Sequence, residues 1–106
     1  IAPYPSVYKA TKLYSGPTTF MLAGSGHIAG VINPPKANKY YYCTNTAVPD
    51  DVEDWIESSE RHEGSWWPHW HQWLYRRSGR KVPARIPGSG KLPAIEDAPG
   101  RYVTMK

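Results

Sequence analysis

Apolar and polar positions follow one another in short runs along this chain, and proline or glycine closes nearly every run. Pro3 and Pro5 hold the first residues extended, and Ser6 then stands where a cap opens a helix through Tyr14 or Ser15, with Val7, Ala10 or Thr11, and Tyr14 on one side. Gly16 and Pro17 end it. Thr18 to Ala23 reads Thr-Thr-Phe-Met-Leu-Ala, a β-rich and nearly continuous apolar run, the pattern of a strand covered on both faces in a parallel sheet. Helix, tight turn and buried strand together predict an α/β unit. That strand would leave backbone donors and acceptors bare along both edges, so upstream residues or another chain are expected to complete the sheet.

Past the strand the periodicity weakens. Gly24-Ser25-Gly26-His27-Ile28-Ala29-Gly30 is a loop whose glycines allow positive φ and close backbone approach around one histidine. Asn33-Pro34-Pro35 forbids a helix across that point, and Lys39 to Thr44 fits another short strand. Asp50, Asp51, Glu53 and Asp54 crowd the start of a segment holding Val52, Trp55 and Ile56, where acids favour the positive end of a short helix that ends near Ser58 or Ser59. Ser65 is placed to cap a further helix, with Pro68 in its first turn and Arg76, Arg77 and Gly79 at its end. Trp66, Trp70, Trp73 and Leu74 fall along one stripe of that helix, with Trp67 at the margin, and core packing is their expected use. Residues 80–106 carry Pro83, Pro87, Pro93 and Pro99 without any regular period, the pattern of an extended tail.

Composition sharpens the picture in a few places. With 11 prolines and 9 glycines in 106 residues, no long helical rod or coiled coil fits, and the length suits one domain or a piece of one. No stretch approaches the roughly eighteen apolar residues of a membrane span, and the N-terminus lacks the basic and apolar segments of a secretory signal. A soluble, unexported protein is therefore expected. Ile in place of Met at position 1 points to something upstream. Cys43 is the sole cysteine and cannot form an internal disulfide, which makes cytoplasm the default compartment. The net charge of +4 suits polyanionic partners without choosing among them.

Candidate chemistry centres on the glycine loop. Gly24-x-Gly26-x-x-Ala29 satisfies a dinucleotide fingerprint as a pattern, but that motif needs a helix of several turns, and Pro34 and Pro35 arrive too soon. His27 fits a general base: an imidazole of unperturbed pKa about 6.5, held just past the C-terminal end of a strand, where open α/β sheets gather their active sites. A plain hydrogen bond from the ring to a loop carbonyl explains the same residue equally well. Cys43 lies in an aromatic run without the flanking glycines of a nucleophile elbow, and Ser25 sits in Gly-Ser-Gly rather than Gly-x-Ser-x-Gly; neither fits a nucleophile. His62, His69 and His71 match a metal cluster only by count, since helical positions two apart point in different directions. Arg76, Arg77, Arg80 and Lys81, with Lys36, Lys39 and the tyrosines at 40–42, could be drawn as a nucleic-acid surface, but helix-end charge compensation explains the arginines.

Three blocks together resemble a known family: Leu22 through Pro35, containing Gly-Ser-Gly-His-Ile-Ala-Gly; Gly64-Ser65-Trp66-Trp67-Pro68-His69-Trp70 with Trp73-Leu74; and Ala98-Pro99-Gly100-Arg101-Tyr102-Val103. They look like the C-terminal end of polyhydroxyalkanoate synthases, and the long tail looks like the class I type. The resemblance implies the C-terminal fragment of an α/β-hydrolase-like catalytic domain: residues 1–35 the last α/β unit and histidine loop, 36–79 a helical region, 80–106 the extended tail. It implies an acyltransferase that polymerises (R)-3-hydroxyacyl-coenzyme A, usually the 3-hydroxybutyryl thioester, with release of coenzyme A.

In that family a Cys, an Asp and a His form a triad, and His27 stands at the matching histidine. The family's Asp-His-Ile-x-Pro makes Ile1-Ala2-Pro3 look like a continuation whose acid lies just upstream, with the nucleophilic cysteine earlier still. The family has Trp where Cys43 precedes Thr44-Asn45, so Cys43 is no nucleophile match. The implied partners are the acyl-coenzyme A, the growing polyester, the rest of the polypeptide, a second copy in a homodimer and the cytoplasmic granule surface. No cofactor, metal or nucleic acid is implied, and the isolated chain is expected to be inactive. Two other readings predict different behaviour: an esterase or depolymerase of the same fold would transfer acyl groups to water, and a non-enzymatic polyanion- or carbohydrate-binding module would expose its tryptophans.

Overall fold

A computed structural model describes residues 2–106. Among the described residues three α-helices and a three-stranded sheet are arranged around a small aromatic core. Helix α1 spans Tyr4–Lys9 and continues as a 3-10 turn over Ala10–Lys12. Its N-cap is Pro3, not Ser6, and Pro5 sits in the first turn, where the missing N–H removes no intrahelical bond. The helix therefore starts earlier and ends sooner than the predicted span to Tyr14.

The apolar run condenses into strand β1, Met21–Ala23, followed by β2, Tyr41–Thr44, and β3, Glu60–Glu63. The strand order is β1-β2-β3 and both pairings are antiparallel, with Leu22 opposite Cys43 and Cys43 opposite Arg61. The pairing of β1 with β2 is thus antiparallel, not the parallel kind that the continuous apolar run predicts. A parallel return needs a long crossover, usually a helix, and Pro34-Pro35 prevents one between β1 and β2. One edge of β1 is thus taken by β2 of the same chain; among the described residues its other edge has no strand beside it. The stretch 36–79, expected to be helical, holds β2 and β3 as well as two helices.

Helix α2, Val52–Glu57, begins where the acids crowd: the Asp51 carboxylate accepts the Glu53 amide at 2.8 Å. The Glu53 side chain first, and this amide bond second, favour the ionised form of Asp51 and hold its pKa below the ordinary carboxylate value, while the same side-chain hydrogen bond pushes Glu53 up. Helix α3, Trp67–Tyr75, follows Ser65, whose Oγ accepts the Trp67 amide at 3.2 Å.

The core consists of Tyr8, Phe20, Val52 and Trp55, with Leu22, Cys43, Val48 and Ile56 packed against it. Phe20 is its hub. It meets Tyr8 and Trp55 edge-on, each at 4.9 Å between ring centres, the geometry that ring quadrupoles favour. Tyr8 closes the cluster by donating its hydroxyl to the Pro49 carbonyl at 2.7 Å, and burial pushes its phenol pKa up. Phe20 immediately precedes β1, so the core fixes the strand whose far end launches the histidine loop.

The expected core of tryptophans lies elsewhere. No residue of α3 is buried, and Trp70 remains 41% exposed. Trp66, Trp70 and Trp73 form a ladder, with Trp70 stacked on Trp73 at 5.0 Å and the Arg77 guanidinium 3.8 Å above the Trp73 ring. The ladder faces Val7, Phe20 and Met21 across a cleft of about 560 Å³. Core packing by the indoles is thus not met within this chain: α1 and β1 cover only one side of the ladder.

The tail from residue 80 onward is exposed apart from Gly100, with a 3-10 turn at Arg101–Thr104 and an Arg101–Glu96 ion pair at 3.3 Å. The radius of gyration is 19.6 Å, against about 13 Å for a compact chain of this length. The chain has far more surface than its own core can use. Among the described residues no helix is long and apolar enough to cross a membrane.

Candidate active site

His27 lies four residues past the end of β1, on a loop with a closed neck and an open tip. At the neck the Gly24 amide donates to the Tyr41 carbonyl at 2.8 Å, extending the β1–β2 ladder by one bond. A Cβ on Gly24 would stand 2.5 Å from the Tyr41 ring, and one on Gly30 would stand 2.5 Å from the Gly24 carbonyl oxygen and 3.1 Å from that of Gly26. The two glycines are there for close approach. Positive φ falls instead on Ser25, at 76°.

Inside the loop the backbone turns helically: the Gly30 amide donates to Gly26 and the Ile32 amide to Ile28, each at 2.8 Å. The carbonyls on either side of His27 are therefore both engaged. Downstream, the buried Asn33 amide donates to the Lys39 carbonyl at 2.7 Å. Two indoles complete the frame, Trp66 donating to the Gly30 carbonyl at 3.0 Å and Trp67 to the Val31 carbonyl at 2.9 Å. The imidazole itself is exposed at the tip beside Ile28, which is 65% exposed.

This geometry makes a sharp contrast between two neighbouring glycines. Gly30→Ala should strain the neck against backbone that cannot yield, lowering stability by about 1–3 kcal/mol. Gly26→Ala should be tolerated, because its added methyl meets nothing within 4 Å. Urea unfolding of both variants in the full-length polypeptide checks the pair, and equal stability of the two would contradict the close-approach role of Gly30.

The remaining candidates sit apart from this loop. Cys43 is half-buried on β2 beside the core, and Ser25 is exposed. The acidic side chains that form ion pairs do so with Lys12, Arg61, His62 and Arg101, not with His27. The structure brings His62 and His69 to 6.3 Å through Tyr42, whose ring stacks on His62 at 4.8 Å. His62 Nε2 lies 2.8 Å from Thr44 Oγ1 and 3.9 Å from Glu60 Oε2, while His71 lies against Tyr75. Burial first, and the Glu60 charge second, push the Tyr42 phenol up. Helical spacing compared only His69 with His71, so it missed this pairing, which depends on strand β3. Among the described residues no group of His, Cys, Asp or Glu is arranged to hold a metal ion. Arg77 donates to the Trp73 carbonyl at 3.2 Å, the helix-end role expected of it. Stripe reasoning, which weighed only the faces of the indoles, missed the two N–H bonds from Trp66 and Trp67 to the loop.

No family model matches the chain. It is 49% identical over 106 residues to the poly(3-hydroxyalkanoate) polymerase subunit PhaC of Rhizobium meliloti, covering all of this chain and 17% of that protein. It is 47% identical over 107 residues to the poly(3-hydroxyalkanoate) polymerase of Methylorubrum extorquens, and 45% identical over 108 to the polymerase subunit PhaC of Cupriavidus necator, covering all of this chain and 18% of each. The match falls in the C-terminal portion of these polymerases, and the chain spans under a fifth of their length.

Proposed function

We propose that this chain is the C-terminal part of a class I polyhydroxyalkanoate synthase of α/β-hydrolase fold, and that His27 is the general base of its Cys-Asp-His triad. The acid and the nucleophilic cysteine come from polypeptide outside residues 1–106. The observation that carries the reading is the loop itself: a rigid neck and an unencumbered imidazole just beyond a strand end. Similarity to polymerases over the whole of this chain favours this reading over the esterase and the binding module.

The proton bookkeeping suits one imidazole used twice. His27 takes the cysteine thiol proton, and the thiolate attacks the thioester carbonyl of (R)-3-hydroxyacyl-coenzyme A. The tetrahedral adduct expels the coenzyme A thiolate, which receives that proton, leaving an acyl-cysteine thioester. The ring then takes the proton of a 3-hydroxyl, whose oxygen attacks the acyl carbonyl; an ester bond forms, the cysteine sulfur leaves, and the proton returns to it. An aspartate on the other ring nitrogen would fix the tautomer throughout. No cofactor enters this cycle. The homodimer and the surface of cytoplasmic polyester granules are the proposed setting, where hydroxyl acceptors are chain ends.

The test is the complete polypeptide supplied with 3-hydroxybutyryl-coenzyme A. Coenzyme A release should be matched by insoluble polyester. Release matched by free 3-hydroxybutyrate would instead establish the esterase reading, and no release would leave only the binding module.

A further inference from the structure

We infer that Trp66 and Trp67 are positioning residues for His27: their successive indole N–H groups hold the successive carbonyls of Gly30 and Val31 and so set where the imidazole is presented. This rests on the reading of His27 as general base. The two bonds, at 3.0 and 2.9 Å, join α3 to the loop across 36 residues of sequence. Gly30 and Val31 close a helical turn whose last carbonyls have no partner further along the turn, since Pro34 and Pro35 stop it. The indoles supply those partners.

The linkage to His27 is short and stiff. Gly30 bonds back to Gly26 and Ile32 to Ile28, each at 2.8 Å, so the peptides flanking His27 move with residues 30–32. The donor side is equally held: Ser65 Oγ accepts the Trp67 amide at 3.2 Å, and the Trp70 amide bonds to the Trp66 carbonyl at 3.0 Å. Displacing the clamp would thus carry the imidazole as part of a rigid body, and a shift of about 1 Å at a reacting group can lower turnover a hundredfold. Meanwhile Trp67 is 37% exposed and forms no part of the buried core, so loss of its N–H should alter turnover far more than stability.

Trp66→Phe, Trp67→Phe and the double variant, made in the complete polymerase, test this. Phenylalanine keeps a six-membered aromatic ring and removes the five-membered ring that carries the N–H donor. Expected is a loss of about tenfold in kcat for each single variant and about a hundredfold for the double, per active site titrated by acyl-enzyme burst. KM for 3-hydroxybutyryl-coenzyme A should stay within about twofold, and the limb of the pH profile of kcat/KM that reports His27 should move. Amide exchange at Gly30 and Ile32 should speed up in each single variant, a readout that does not require turnover. Unchanged kcat, profile and exchange would overturn the inference. So would a fall in kcat that merely tracks the fraction of titratable sites with the profile unmoved, because that is a folding defect. A His27→Gln control separates the two claims: if it stays active, the general-base reading fails, whereas an inactive control beside normal Phe variants removes only the clamp.

Discussion

His27→Gln in the complete polymerase is expected to lower turnover by about three orders of magnitude or more while leaving the fold intact. The size follows from the two proton transfers assigned to one ring, each of which a positioned base accelerates by about 10²–10⁴. Glutamine is close in size and polar but cannot accept the thiol proton. The fold should survive because the side chain is exposed at a loop tip, and the contacts that shape the loop are made by the loop backbone, the Asn33 side chain and the two indoles, not by His27. Initial rates of coenzyme A release and a thermal melt together check this. Near-normal polymer formation by a correctly folded variant would remove His27 from the mechanism.

Trp55→Ala should have the largest effect on stability, about 3–5 kcal/mol. Trp55 is fully buried, and among the described residues the core around it has three other buried apolar side chains, so little can relax into the space. Phe20, the hub above β1, would lose an edge-to-face partner, and with it the support under the strand that leads to the histidine loop. Trp55→Phe should cost at most about half as much, because it keeps a ring and also removes a buried indole N–H that has no partner among the described residues. Urea unfolding measures both. Equal destabilisation would mean that the ring edge, not the unpartnered donor, dominates at this position.

These two substitutions also separate what is local from what is not. The histidine loop was legible because its evidence is contiguous: glycines on either side of one histidine, directly after an apolar run. Helix α2 was legible from its acids, with Asp51 as the actual cap, and α3 from Pro68 in its first turn, although its N-cap is Trp66 and not the expected Ser65. Strand β3 was not. Glu60-Arg61-His62-Glu63 is polar on both faces of an edge strand, so no alternation announces it, and pairing with β2 alone makes it a strand. The ladder of tryptophans misled for a related reason. A stripe of large apolar residues shows that a helix face wants cover, but not what covers it, and within this chain the cover is only partial.

By itself the amino-acid order determined the start of α2, the turn-bound histidine and the family likeness, because caps, prolines and glycines act on neighbours a few bonds away. The antiparallel return of β2, the burial of Trp55 in place of the α3 indoles, and the two N–H bonds from Trp66 and Trp67 to the loop were decided only in three dimensions. Each joins segments far apart along the chain, and which donor meets which carbonyl depends on how all the intervening elements pack at once.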